Sequence, residues 1–331
     1  MRNTQRNKAK RERICLKGTA TSLAGFSVVE LVVVFAIVAL LVGLLLPAVL
    51  AAREGSRRAK CGSNLKQIAL AGHNFNSVHQ LLPANGWGFA WLGDGNLGVG
   101  PTQPGGWIFQ VLPYMERESL FNQSVGKIGS NFESSQCQLA SSPVEVFLCP
   151  SRPGVGVGPH TTMFAYRNAP SCTMDARTDY AVNEGDFISG TGAGPVSVTE
   201  AQSSSYVWTD ITRTTGVSWL RGSVGLENVP DGTSFTYFSG EKCVSADSYF
   251  TGTDFGYDQS LFSGVDLDIS RWTLHPPLSD RSALPDKNRR FGSIHGDSFR
   301  MAMCDGSVRV VSYAIHPDIH RGNGNRGDGF Q

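Results

Sequence analysis

The stretch GFSVVELVVVFAIVALLVGLLLPAVLAAREGSRRAKC, residues 25–61, decides the fold. From Leu31 to Ala52 it carries 22 residues without a charge. At about 1.5 Å per residue, a helix over that run is roughly 33 Å long, enough to cross a hydrocarbon core of about 30 Å. One residue at its start resists that reading. Glu30 stands four residues after Phe26, and a carboxylate in hydrocarbon costs about 2.5–3.5 kcal/mol on insertion scales. An ordinary anchor would let Glu30 snorkel to the interface.

The flanks orient the segment. Residues 1–25 carry seven Lys and Arg against Glu12, a net +6, which leaves −5 for the rest of a chain of 331 residues with overall charge +1. A basic head before an apolar run marks the side that stays in the cytoplasm. The competing reading, a basic arm for nucleic acid, lacks interleaved aromatic residues and precedes an acidic body, so no nucleic-acid partner is expected. Two processing routes stay open. A secretory signal has a shorter apolar core and a small-residue cleavage site, for which Val49-Leu50-Ala51 is a poor match. A cut at Gly25-Phe26 would instead retain the whole helix as an anchor.

Beyond Ala52 the pattern turns amphipathic. Arg53, Glu54, Arg57, Arg58 and Lys60 follow the apolar run, and Leu65, Ile68, Ala69, Gly72 and Phe75 then recur at helical spacing. The spacing predicts one helix from about Phe26 to His79, its second half laying an apolar face on a globular head. Residues 81–331 read as strand and loop. Candidate strands are Val144–Leu148, Tyr206–Thr209, Thr236–Ser239 and Arg300–Cys304. Asp305-Gly306, between two alternating runs, is a tight hairpin turn, and Phe299, Met301 and Met303 share a core face. The fold class is α+β, a long N-terminal helix with a membrane-embedded first half, packed on an antiparallel β-rich globular head. Its parts are a basic leader (1–25), a membrane-embedded half-helix (26–52), the helix continuation (53–80) and an exported head (81–331).

Chemistry is sparse in this sequence. Two G-x-G-x-x-G matches, at residues 93–98 and 322–327, lack the strand-then-helix context of a dinucleotide loop, and no cofactor is expected. His316 and His320 stand four apart, but Pro317 follows the first and no H-E-x-x-H pattern is present, so no metal site is assigned. Asp266, Asp268 and Asp328 form no twelve-residue calcium loop. No nucleophile elbow exists, and no enzyme activity is expected. His295 and Asp305 are the best polar pair in the body, read as a strand-entry cap and a turn residue. Besides Cys15, six cysteines (61, 137, 149, 172, 243 and 304) lie after the apolar run, without C-x-x-C spacing. They suit either disulfides, with fifteen connectivities, or buried thiols.

Gly25, Phe26, Ser27 and Glu30, ahead of the apolar run and with Pro47 within it, resemble the N-terminus of type IV prepilins and of type II secretion pseudopilins. The resemblance implies a prepilin peptidase that cuts after Gly25, a methylated N-terminal Phe26, and Glu30 neutralising the terminal amine of a neighbouring pilin or pseudopilin subunit. The body resembles the exported planctomycete DUF1559 proteins. The matching strings are CGSNLKQIALAGHNF, GGWIFQVLPYMERESLFN, FLCPSRP, TDYAVNEGD, NVPDGTSFTYFSGEK and FGSIHGDSFRMAMCDGSVRVV. The last contains the family's C-terminal motif, His295, nine residues, then Asp305-Gly306. Two positions depart from the pattern: Asp179, where asparagine is usual, and Arg152, where an acid often follows CPS. Cys61 and Cys149 both lie in matching strings, which implies that they pair as a disulfide.

The expected function is that of a structural, pilin-like protein of the inner membrane, single-pass, with its head in the periplasm or at the cell surface. The alternative is a monomeric anchored binding module that uses the pilin leader only for export.

Overall fold

A computed structural model describes residues 25–329 except 155, 162, 163 and 191. The basic head with Cys15 lies outside the described residues. The chain divides into two compact units, residues 1–52 and 53–331.

In the first unit, helix α1 (Val28–His79) begins with a capping box. Ser27 is its N-cap. The Val29 N–H donates to Ser27 Oγ at 3.2 Å, and the Ser27 N–H donates to Glu30 Oε2 at 2.9 Å. The reciprocal pair satisfies two of the donors a helix start leaves open. Glu30 therefore has a local task that the sequence reading did not assign. Every residue from Gly25 to Ala52 is exposed, and α1 is long and apolar enough to cross a membrane.

In the second unit the rest of α1 buries Cys61, Asn64, Leu65, Ile68, Ala69, Ala71, Gly72 and Phe75. Their spacing of three and four traces one stripe along the helix. The stripe packs on a five-stranded sheet built from β1 (Tyr180–Asn183), β2 (Tyr237–Glu241), β3 (Ser270–Arg271), β4 (Ser298–Met303) and β5 (Val308–Ser312). The order is β5-β4-β2-β1-β3, antiparallel except for the parallel β1–β3 pair. Alternation along each strand sends side chains to two cores. Tyr180, Val182, Phe238 and Ala302 join Leu65, Ile68, Trp107 and Phe147 in the larger one. Ala181, Tyr237, Phe299, Met301 and Met303 join Phe291 and Val311 in the smaller. The face shared by Phe299, Met301 and Met303 is core, as expected.

Gly72 sits where α1 meets β2. A Cβ there would lie 2.7 Å from the Phe238 ring, so the approach requires glycine. The β4–β5 hairpin turns at Cys304–Ser307, with Gly306 at φ +79° and Asp305 Oδ1 accepting the Ser307 N–H at 2.7 Å.

Two expected strands are absent. Val144–Leu148 holds a 3-10 turn (Glu145–Phe147). Phe147 is fully buried, and the N–H groups of Phe147 and Leu148 bond back to Val144 O and Glu145 O, which periodicity alone does not report. Tyr206–Thr209 has no regular structure; its aromatic residues stack on one another and on Trp87 instead. A short strand, Val157–Pro159, pairs with Met174–Ala176.

Candidate functional site

Four side chains from four parts of the head meet at one buried point. Cys61 comes from α1, Cys149 follows the Glu145–Phe147 turn, Glu241 ends β2, and His295 precedes β4. Their relative exposures are 0%, 5%, 2% and 1%. One ligand-type atom from each lies within 4.8 Å of all the others. Cys61 Sγ and Cys149 Sγ are 3.0 Å apart with no bond between them. His295 Nε2 is 3.8 Å from Cys149 Sγ and 3.5 Å from Glu241 Oε1.

Each member is held from outside the cluster. His295 Nδ1 meets Glu54 Oε1 at 2.7 Å. Glu54 stands seven residues before Cys61, two turns along the same helix face. Glu241 Oε2 accepts the Arg300 N–H at 2.7 Å, whereas the buried Glu241 Oε1 has no partner closer than His295 Nε2 at 3.5 Å among the described residues. The Cys149 N–H donates to Asp179 Oδ2 at 2.6 Å.

The electrostatics follow from these contacts. Partial burial works to raise the Glu54 carboxyl, but hydrogen bonds from Arg57, His295 and Ser151 outweigh it and hold its pKa at about 2. Burial disfavours a charged His295, yet the contacts with Cys149 and Glu241 carry its pKa up to about 10. The imidazole is therefore an imidazolium bridging two carboxylates. The hydrogen bond between the thiols sets them apart. It pulls Cys149 down to about 6, helped by His295, while the same bond and burial push Cys61 up.

Of the residues singled out in the sequence, the structure unites Cys61, Cys149 and His295. Asp305 and Gly306 are not with them. They form the turn at the far end of β4, where Lys66 Nζ donates to Gly306 O at 2.6 Å. Gly25, Phe26 and Glu30 belong to the N-terminal unit, where Phe26 is 74% exposed. Glu241 and Glu54 were missed as site residues. Glu54 carried a signal, the seven-residue step to Cys61; Glu241 carried none beyond its place in a matching string.

The two departures from the DUF1559 pattern are partners. Arg152 Nη1 pairs with Asp179 Oδ1, and its Nη2 reaches Asp280 Oδ2 at 2.7 Å, with all three side chains almost fully buried. Arg152 and Asp179 are opposite charges in one buried pair. Asp179 thereby holds both Arg152 and the backbone of Cys149.

The family model described as a protein of unknown function, DUF1559, matches residues 50–318. The chain belongs to the DUF1559 family. The match takes in every member of the cluster in this DUF1559 chain and begins within the apolar part of α1. No curated protein and no solved structure matches the chain.

His316 and His320, considered above as metal ligands, are separated in the DUF1559 head. His316 caps the helix α2 (Pro317–Gly324) and is exposed, while His320 is buried against Tyr237, Phe291 and Phe299. Of the six cysteines after the apolar run, Cys137 and Cys172 form a disulfide and the other four are thiols.

Proposed function

We propose that this chain is a pilin-like envelope protein, cut after Gly25 by a prepilin peptidase and anchored in the inner membrane by the first half of α1, with an exported head. The observation that carries the reading is the change of character along one helix. Residues up to Ala52 are apolar and exposed on all sides, as lipid demands, and the later residues bury one stripe only. The Cys137–Cys172 disulfide supports export, because such bonds persist in oxidising compartments. The capping box survives the cut, since Ser27 and Glu30 both lie beyond Gly25. Glu30 is then free to meet a neighbour's terminal amine with its second carboxylate oxygen.

The intact mass of membrane-extracted protein tests the processing. N-methylated Phe26 is the expected start; a start at Ala52 or Arg53 would mean ordinary signal cleavage and end the reading. Assembly is tested with Glu30→Gln, which keeps a capping acceptor at this position and removes the charge. Unaltered processing with loss of cross-links between subunits is the expected result.

A second reading has its own observation. A surface cavity of about 430 Å³ is lined by Trp87, Tyr206, Trp208 and Arg221, with the guanidinium 4.1 Å from the Trp208 ring centre. Such a cavity suits a monomeric anchored binding module. Absence of cross-links even in the unsubstituted protein favours that module.

A further inference from the structure

We propose that Cys61, Cys149, Glu241 and His295 form a closed binding site for a zinc-class divalent cation. The donor set is two thiols, an imidazole and a carboxylate, the mixture that a borderline-soft cation takes in tetrahedral sites. They come from four separate segments, so a bound ion would tie α1, β2, the turn before β4 and the segment after Phe147 together.

Three further observations point to a ligand. Glu241 Oε1 is buried and faces His295 Nε2 at 3.5 Å, with no closer partner among the described residues. A buried carboxylate oxygen whose contact is that long is under-coordinated, and a cation would complete it. The outer contacts are those of ligands already oriented. Glu54 holds the His295 nitrogen facing away from the cluster, and the Arg300 N–H holds the far oxygen of Glu241. Metal-bound histidines almost always give the second ring N–H to a carboxylate, a backbone carbonyl or a water. Lastly, the two thiols lie 3.0 Å apart unbonded in a head that closes a disulfide elsewhere.

Across a tetrahedral zinc with bonds near 2.3 Å the sulfurs stand about 3.8 Å apart. The site therefore opens by rotation of the two cysteine side chains. Binding releases any proton still held by the two sulfurs and the Nε2 proton of His295, and no electron is transferred. All four positions are taken by protein, which makes the ion structural.

The test uses the full chain extracted from membranes, with free thiols alkylated at lysis in one portion and metal content measured by mass spectrometry in another. One zinc per chain is expected. After chelation, cobalt should restore a thiolate-to-metal charge-transfer band. Cys149→Ser and the volume-matched Glu241→Gln should each lower zinc content at least tenfold in protein that retains the Cys137–Cys172 bond. The wild-type measurement decides the matter even if both variants fail to fold. A Cys61–Cys149 disulfide in the alkylated portion, or wild-type protein without zinc and without the cobalt band, overturns the proposal.

Discussion

Helix α1 is one continuous hydrogen-bonded element with two different surfaces. Between Val28 and Ala52 it buries nothing in its own chain, and Leu41 and Leu45 are 52% and 59% exposed. Between Arg53 and His79 it hides Leu65 and Ile68 completely yet leaves Leu70 58% exposed. Both halves contain leucines. They differ in apolar content and in how it is distributed around the helix. An all-round apolar surface belongs to lipid, and a single stripe belongs to a protein core. The two halves should therefore fail in different assays.

The largest effect is expected in the first half. Leu41→Arg with Leu45→Arg adds two charges near the middle of the apolar run, about 5 kcal/mol on the insertion scale. The protein should leave the membrane fraction. Retention there would break the comparison.

In the head, Arg152→Ala leaves Asp179 and Asp280 buried without their cation. Breaking a buried pair costs about 3–5 kcal/mol. Denaturant unfolding should register that loss while membrane retention is unchanged.

The comparison can be sharpened within the second half alone. Leu65→Ala should cost about 2–5 kcal/mol of head stability through the cavity it leaves. Leu70→Ala, five residues on and exposed, should stay within about 0.5 kcal/mol. Equal effects from the two would mean the stripe is misplaced.

Only the head should answer to pH near neutrality, since Leu31–Ala52 contains no titrating side chain. Burial among aromatic rings holds His320 at a pKa of about 3, against 6.5 when free. The unfolded chain takes up the proton first. The contribution is complete above pH 6.5 and is lost as pH falls toward 3. From pH 7 to pH 5 the loss is about 2 kcal/mol. His320→Phe should flatten that part of the stability profile, and an unchanged slope would reassign it to other groups.

The smallest effect returns to the first half. Glu30→Ala removes one arm of the capping box, worth about 0.5–2 kcal/mol of local helix stability. Hydrogen exchange at Ser27 to Glu30 should quicken while the head's amides stay protected.

Local pattern settled a good deal of this protein. The 22 uncharged residues, the stripe from Leu65 to Phe75, the Asp305-Gly306 turn and the core face of β4 were all legible, because each is a periodicity or a dipeptide with one favoured backbone outcome. The capping box was equally local, yet the charge of Glu30 drew attention from its spacing to Ser27. What stayed hidden depends on partners distant in the chain. Val144–Leu148 looked like a strand, but its N–H groups bond back to Val144 and Glu145 while Phe147 O takes the N–H of distant Asp179. Cys61, Cys149 and His295 were visible as separate residues, but their meeting required α1 to dock along the sheet with Gly72 against Phe238. Glu241 joined them only because the end of β2 falls beside the approach to β4. Sequence separation between Cys61 and His295 carries no distance information, whereas packed strands and a docked helix fix it to within an ångström or so. That is why the apolar half-helix could be read from composition and the four-residue cluster only from the folded head.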